Sequence, residues 1–150
     1  MLLISHRGNL YGPSSEENNP ATIEHTLSKG FHAEIDLWVD RTQDSIKIMS
    51  GHDHAQYVVD LDWLTKRQNQ LWIHAKSLST LEWFLEDDRD WQLFWHQEDD
   101  FTITTTGHIW TYPNKQVGSS SIIVAQNLED TTFYSEKSIY GLCSDFVGNI

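Results

Sequence analysis

The residues best suited to chemistry lie where apolar runs stop. His6 and Arg7 follow Leu2–Ser5, His52 and Asp53 follow Ser45–Met49, and His74 and Lys76 follow Leu71–Ile73. His96 ends a similar run. Unperturbed imidazole titrates near neutrality, so His6 and His52 can divide acid and base work across one phosphorus or carbonyl centre. Arg7 can clamp a phosphate oxygen in bidentate fashion, and Lys76 can supply charge to a developing oxyanion. Each has an ordinary alternative: a hydrogen-bonded loop histidine, a surface ion pair, a solvated lysine.

Glu34 and Asp36 belong to the stretch Phe31 to Asp40, FHAEIDLWVD. Its two-residue alternation puts Ala33, Ile35, Leu37 and Val39 on one face and His32, Glu34, Asp36 and Trp38 on the other. Either the polar face is solvated, as charged residues mostly are, or it points into an interior. Two buried carboxylates repel unless something positive sits between them, and a divalent cation with oxygen ligands meets that need. Asn9, Glu17 and Asn18 have types that bind ligands or shape turns. Trp38, Trp95, Trp110 and Tyr112 can line a pocket or fill a core, and Asp145 has the setting of a loop acid.

The elements that must position these residues follow from local signals. Leu2–Ser5 predicts a first strand. Asn19 as N-cap, Pro20 at the first helical position, Ile23 and Leu27 on one face and Gly30 as terminator predict a helix. The strand through Glu34 and Asp36 comes next, and strand–helix–strand predicts parallel neighbours. A short helix is predicted within Val58–Arg67. A second clear helix is predicted over Thr80–Glu86, led in by a Ser79–Glu82 capping box and a Leu78–Trp83 staple. Strands are predicted at Ser45–Met49, from Leu71, and at Trp91–Trp95, Phe101–Thr104, His108–Thr111, Ser121–Ala125 and Gly141–Ser144.

With 150 residues the chain suits one domain, 1–150, whereas an ordinary (β/α)₈ barrel needs about 250. The expected fold is therefore α/β: a reduced TIM-type (β/α) barrel with several outer helices missing, or else an open mixed sheet. Strand faces bared by the missing helices would be covered in a homo-oligomer. A formal charge of −12 argues against nucleic acid as partner and against an anionic membrane surface. No run has the length of a membrane span, so no membrane insertion is expected. The single Cys143 excludes an internal disulfide and a Cys-rich zinc site. The start lacks a basic n-region, and a cytoplasmic location is expected.

In chain order the signals are His6-Arg7-Gly8, Glu17-Asn18, Glu34-Ile35-Asp36 and Gly51-His52-Asp53. This series resembles the glycerophosphodiester phosphodiesterase family, within the barrels similar to phosphatidylinositol-specific phospholipase C, which carries HRG, EN, ExD and HD in the same order. Trp110-Thr111 and Ser144-Asp145 resemble the family's later WT and TD, and the whole chain is similar to a compact branch of that group. The resemblance implies a metal-dependent hydrolase of a small phosphodiester. His6 and His52 would be its acid and base, Arg7 would contact phosphate, Lys76 and Trp110 would face substrate, and Glu34 and Asp36 would hold one divalent metal ion. One position departs from the pattern: the family's metal-binding Glu before the fourth-strand Lys is His74 here. The family pattern implies Mg²⁺ or Ca²⁺; an imidazole ligand favours Mn²⁺ or Zn²⁺. The same departure motivates an alternative, a barrel that kept the phosphate pocket as a binding module. A metal-dependent hydrolase of an ester or amide bond is a third reading, against which Arg7 and Lys76 weigh.

Overall fold

The structure is a computed structural model and describes residues 1–150. It begins with β1 (Leu2–Ser5), α1 (Pro20–Ser28) and β2 (His32–Arg41). The Asn19 side chain accepts the Ala21 N–H, Pro20 opens α1, and the helix buries Ile23, Thr26 and Leu27. That buried stripe lets α1 pack back on the sheet, so β1 and β2 pair in parallel with Ile4 opposite His32.

β2 is the branching strand. Along one edge it pairs first with β1 and then, antiparallel, with β3 (Ile46–Ser50), which carries β4 (Tyr57–Val58). Its other edge pairs in parallel with β5 (Leu71–Ala75), followed by β6 (Gln92–Phe94). Beyond β1 lie β10 (Gly141–Ser144), β9 (Ser121–Ala125) and β8 (Ile109–Thr111), all parallel, with β7 (Phe101–Ile103) antiparallel on β8. The ten-stranded sheet is strongly curled. Its β6 end and the segment that follows β7 meet at Thr105, whose N–H donates to the Leu93 carbonyl at 2.9 Å while its Oγ1 accepts the Leu93 N–H at 2.9 Å.

The predicted alternation of β2 holds. Ala33, Ile35, Leu37 and Val39 face outward into a cluster of 16 buried residues with α1, α2 (Leu61–Lys66) and α3 (Leu78–Glu86). A second outer cluster joins Leu142 and Ile123 to Tyr134 of α4 (Leu128–Ser135). The concave side is filled by Ile4, Trp72, Phe94, Trp110, Ile122 and Cys143. Trp72 is wholly buried there, and its replacement by Ala would cost about 3–5 kcal/mol. The expected α/β class holds, with four α-helices against the sheet.

Two local expectations are corrected, and one helix is additional. α3 starts at Leu78 with Ser77 as its N-cap, while Ser79 donates to the Val39 carbonyl instead. Leu78 is largely exposed and forms no staple. α4 was not predicted: its inward face is only Thr131 and Tyr134, too few apolar positions to mark a helical stripe, and Asn127 caps it.

Candidate active site

The parallel register delivers the site. In the β2–β5 pairing Asp36 stands opposite His74, and in the β5–β6 pairing His74 stands opposite Phe94, so the three side chains share one level of the concave face. Glu34 is 2 % exposed and Asp36 0 %; the solvated-face alternative is excluded. His6 and Arg7 follow β1 as a tight turn in which Arg7 adopts the left-handed region at φ 54°. That turn aims the Arg7 backbone N–H at Glu34 Oε2, 3.1 Å away. His52 arrives by a different route. β3 runs back along β2 and ends level with Asp36, where Gly51 N–H donates to the Asp36 carbonyl at 3.1 Å. Only glycine fits at 51: φ is 151°, and a Cβ would meet the His54 carbonyl at 2.1 Å.

Ligand atoms of Glu34, Asp36 and His74 lie within 4.8 Å of one another. His74 Nε2 is 2.9 Å from the His96 carbonyl, which can only accept, so Nε2 carries the hydrogen. Nδ1 then faces Asp36 Oδ1 at 3.0 Å and Glu34 Oε1 at 3.8 Å. Asp36 Oδ1 is buried and without a hydrogen-bond partner, although His74 Nδ1 and Lys76 Nζ lie close to it. An orphaned carboxylate oxygen, a second buried carboxylate and an imidazole whose far nitrogen is anchored on a backbone carbonyl suit a divalent cation. Asp36 Oδ2 is held differently, accepting from Asn18 Nδ2 at 2.9 Å, while the Asp36 N–H donates to Asn18 Oδ1 at 2.9 Å.

Two cations already flank the acids: Arg7 Nε is 3.2 Å from Asp36 Oδ2 and Lys76 Nζ is 3.4 Å from Asp36 Oδ1. Burial alone would raise the Asp36 pKa, but the hydrogen bond from His52, the adjacent His74 imidazole and the Arg7 charge hold it well below the usual carboxylate range. Glu34 goes the other way, pushed up by burial and then by the Asp36 charge. Since Arg7 and Lys76 balance the two carboxylates, an added divalent ion would leave the site net positive, which favours an anionic ligand.

The two histidines are held in complementary states. His52 Nδ1 lies 3.3 Å from Asp36 Oδ2 and 3.5 Å from Lys76 Nζ; the shorter contact, to an oxygen that only accepts, puts the hydrogen on Nδ1 and turns the Nε2 lone pair to Arg7 Nη2, 3.3 Å away. His6 Nδ1 donates to Asp145 Oδ1 at 3.0 Å. Burial works against the His6 charge, yet the Asp145 bond and the Glu34 field raise its pKa above the ordinary value. Asp145 is thus corrected from a loop acid to the partner of His6, and Asn9 Nδ2 steadies the same oxygen at 2.8 Å. Glu17 accepts from Arg7 Nη1 at 3.1 Å. No periodicity marks Asp145; only its Ser144-Asp145 resemblance pointed to it.

His6, Arg7, Glu34, His52, His74, Lys76 and Trp110 all border one cavity of about 530 Å³, with Asp36 directly beneath. Trp110 stacks on Phe94 at 4.1 Å, and Phe94 on the His74 ring at 4.9 Å. Tyr112 also borders the cavity, whereas Trp38 donates to the Gly51 carbonyl and Trp95 lies outside. A smaller chamber of about 190 Å³ opens on the other side of Arg7 and His52, lined without any hydrophobic residue. No helix is long and apolar enough to cross a membrane. No protein-family model matches the chain, and comparison with curated proteins finds no relative.

Proposed function

We propose that this cavity hydrolyses a small phosphodiester in a metal-dependent reaction of the glycerophosphodiester phosphodiesterase type, on a reduced TIM-type barrel. The observation that carries the reading is the pairing of two histidines in opposite hydrogen-bonding roles above a buried two-carboxylate, one-imidazole cluster. A divalent ion held by Glu34, Asp36 and His74 would supply Lewis-acid polarisation of a phosphoryl oxygen.

The chain's own groups handle the protons. His52 Nε2, whose lone pair faces Arg7 Nη2 in the free protein, takes the proton of the attacking hydroxyl as the new P–O bond forms, once Arg7 turns from it to the phosphate. His6, whose charged form the Asp145 bond favours, gives a proton to the leaving oxygen as the old P–O bond breaks. Arg7 and Lys76 offset charge gathering on the non-bridging oxygens. The two chambers that share Arg7 and His52 leave room for both substituents of a diester.

The test is turnover of generic phosphodiesters with Mn²⁺, Zn²⁺, Mg²⁺ or Ca²⁺ supplied. Replacing His6 or His52 by Ala should lower turnover by about 10²-fold or more, with near-ultraviolet dichroism unchanged. Parent-like rates in both variants would overturn the mechanism. A thermal shift with phosphate compounds but no turnover under any metal would favour the binding-module reading, motivated by His74.

A further inference from the structure

The cavity is wider than the metal cluster requires. Its near side is built from the ends of β1, β2, β5 and β10; its far side lies at the ends of β6, β8 and β9, where His96, Gln97, Tyr112 and Gln126 line it. The carboxylates on its wall, Glu34 and Asp145, are both engaged on the near side. Arg7 and Lys76 are drawn there too, toward Asp36. The far side therefore offers an imidazole, a phenol and two carboxamides, with no acid among its lining residues.

His96 is the unexplained residue of this group. Both ring nitrogens are shielded from water and have no hydrogen-bond partner, although buried polar atoms nearly always find one. The ring leans on Tyr112, centroids 4.8 Å apart. Its backbone does have a task, since the His96 carbonyl accepts from His74. The side chain can thus be changed while that contact stays.

We propose that His96, flanked by Gln97 and Gln126, recognises an uncharged, hydroxyl-bearing substituent of the diester, a polyol or sugar headgroup; this rests on the phosphodiester reading above. A hydroxyl both donates and accepts, so it pairs with either kind of imidazole nitrogen and with both ends of a carboxamide. A quaternary ammonium can do neither, and no carboxylate lines the cavity on that side. Rotation of the imidazole about its terminal torsion, which is broad for histidine, turns a nitrogen into the cavity without moving the carbonyl that anchors His74.

Binding, not turnover, tests this. Glucose 1-phosphate, phosphocholine and inorganic phosphate are titrated calorimetrically into the Mn²⁺-supplemented protein. The parent should bind glucose 1-phosphate about 10-fold tighter than phosphocholine, the scale of one well-made hydrogen bond. H96F should erase that preference while leaving inorganic phosphate affinity within about twofold, and H96Q should restore part of it. Should H96F fail to fold, H96A serves for the same comparison. Equal affinity of the parent for the two headgroups, or a preference that survives H96F, overturns the subsite alone. A parent that binds none of the three overturns the phosphodiester reading and the subsite with it.

Discussion

Nδ1 of His74 and Oδ1 of Asp36 stand 3.0 Å apart without sharing a hydrogen bond. Two acceptors at that separation in a buried place call for a cation, and the anchored Nε2–H fixes which nitrogen would bind it.

His74 should therefore set the metal preference. H74E converts the cluster to three carboxylates, and binding should shift from Mn²⁺ or Zn²⁺ toward Mg²⁺ or Ca²⁺. Thermal shifts across the four metals read this directly: saturation at 100 times Kd adds about 2.7 kcal/mol. The same order of preference in parent and H74E would remove His74 from the ligand set.

Glu34 should weaken the metal-free protein at neutral pH. Its folded pKa is raised, so its stability contribution is full below the unfolded carboxyl value and is lost as pH rises through the folded one. E34Q without metal should then melt higher than the parent at pH 7, with the gain vanishing in acid, and should no longer be stabilised by metal. Asp36 has the opposite sign: its contribution is present above the ordinary carboxyl pKa and lost as pH falls through its depressed folded value. Differential scanning calorimetry of E34Q and the parent across pH separates the two.

Asp145 should act through His6. In D145N the His6 pKa falls, because the Asp145 charge is gone and a neutral amide oxygen accepts more weakly. The limb of the pH–rate profile set by the protonated acid should move to lower pH, with kcat down by up to about 10²-fold and KM nearly constant. A profile unmoved by D145N would show that His6 is not the group being titrated.

Asn18 should be worth more than its loop position suggests. It sits at φ 63° and closes two hydrogen bonds with Asp36. N18A leaves the buried Asp36 N–H unpaired, and urea unfolding should register a loss of about 1–3 kcal/mol.

Much of this site was legible because strand alternation is local. The faces of Phe31–Asp40 follow from sequence, and Glu34 and Asp36 lie inside as the alternation permits. Helix α1 was equally plain, since Asn19, Pro20 and its apolar pair all agree. What escaped depends on distant pairing. Asp145 meets His6 across 139 residues only because β10 docks on β1. α4 escaped because its strand-side contacts, Thr131 and Tyr134, give no helical stripe. His52 could be named from sequence, but not its delivery by an antiparallel hairpin at Gly51.

The pairing of β1 with β10 brings the first strand of this sheet, in chain order, beside its last. During translation His6, both buried acids and His52 emerge long before residue 145, and until then one edge of β1 has no neighbour. A partly synthesised chain would hold the ligand cluster yet lack the carboxylate that charges its proton donor. Chemical competence would thus arrive in a single late event, the insertion of the final strand, and until that moment the bare edge is the place where a chaperone or a wrong partner would find it.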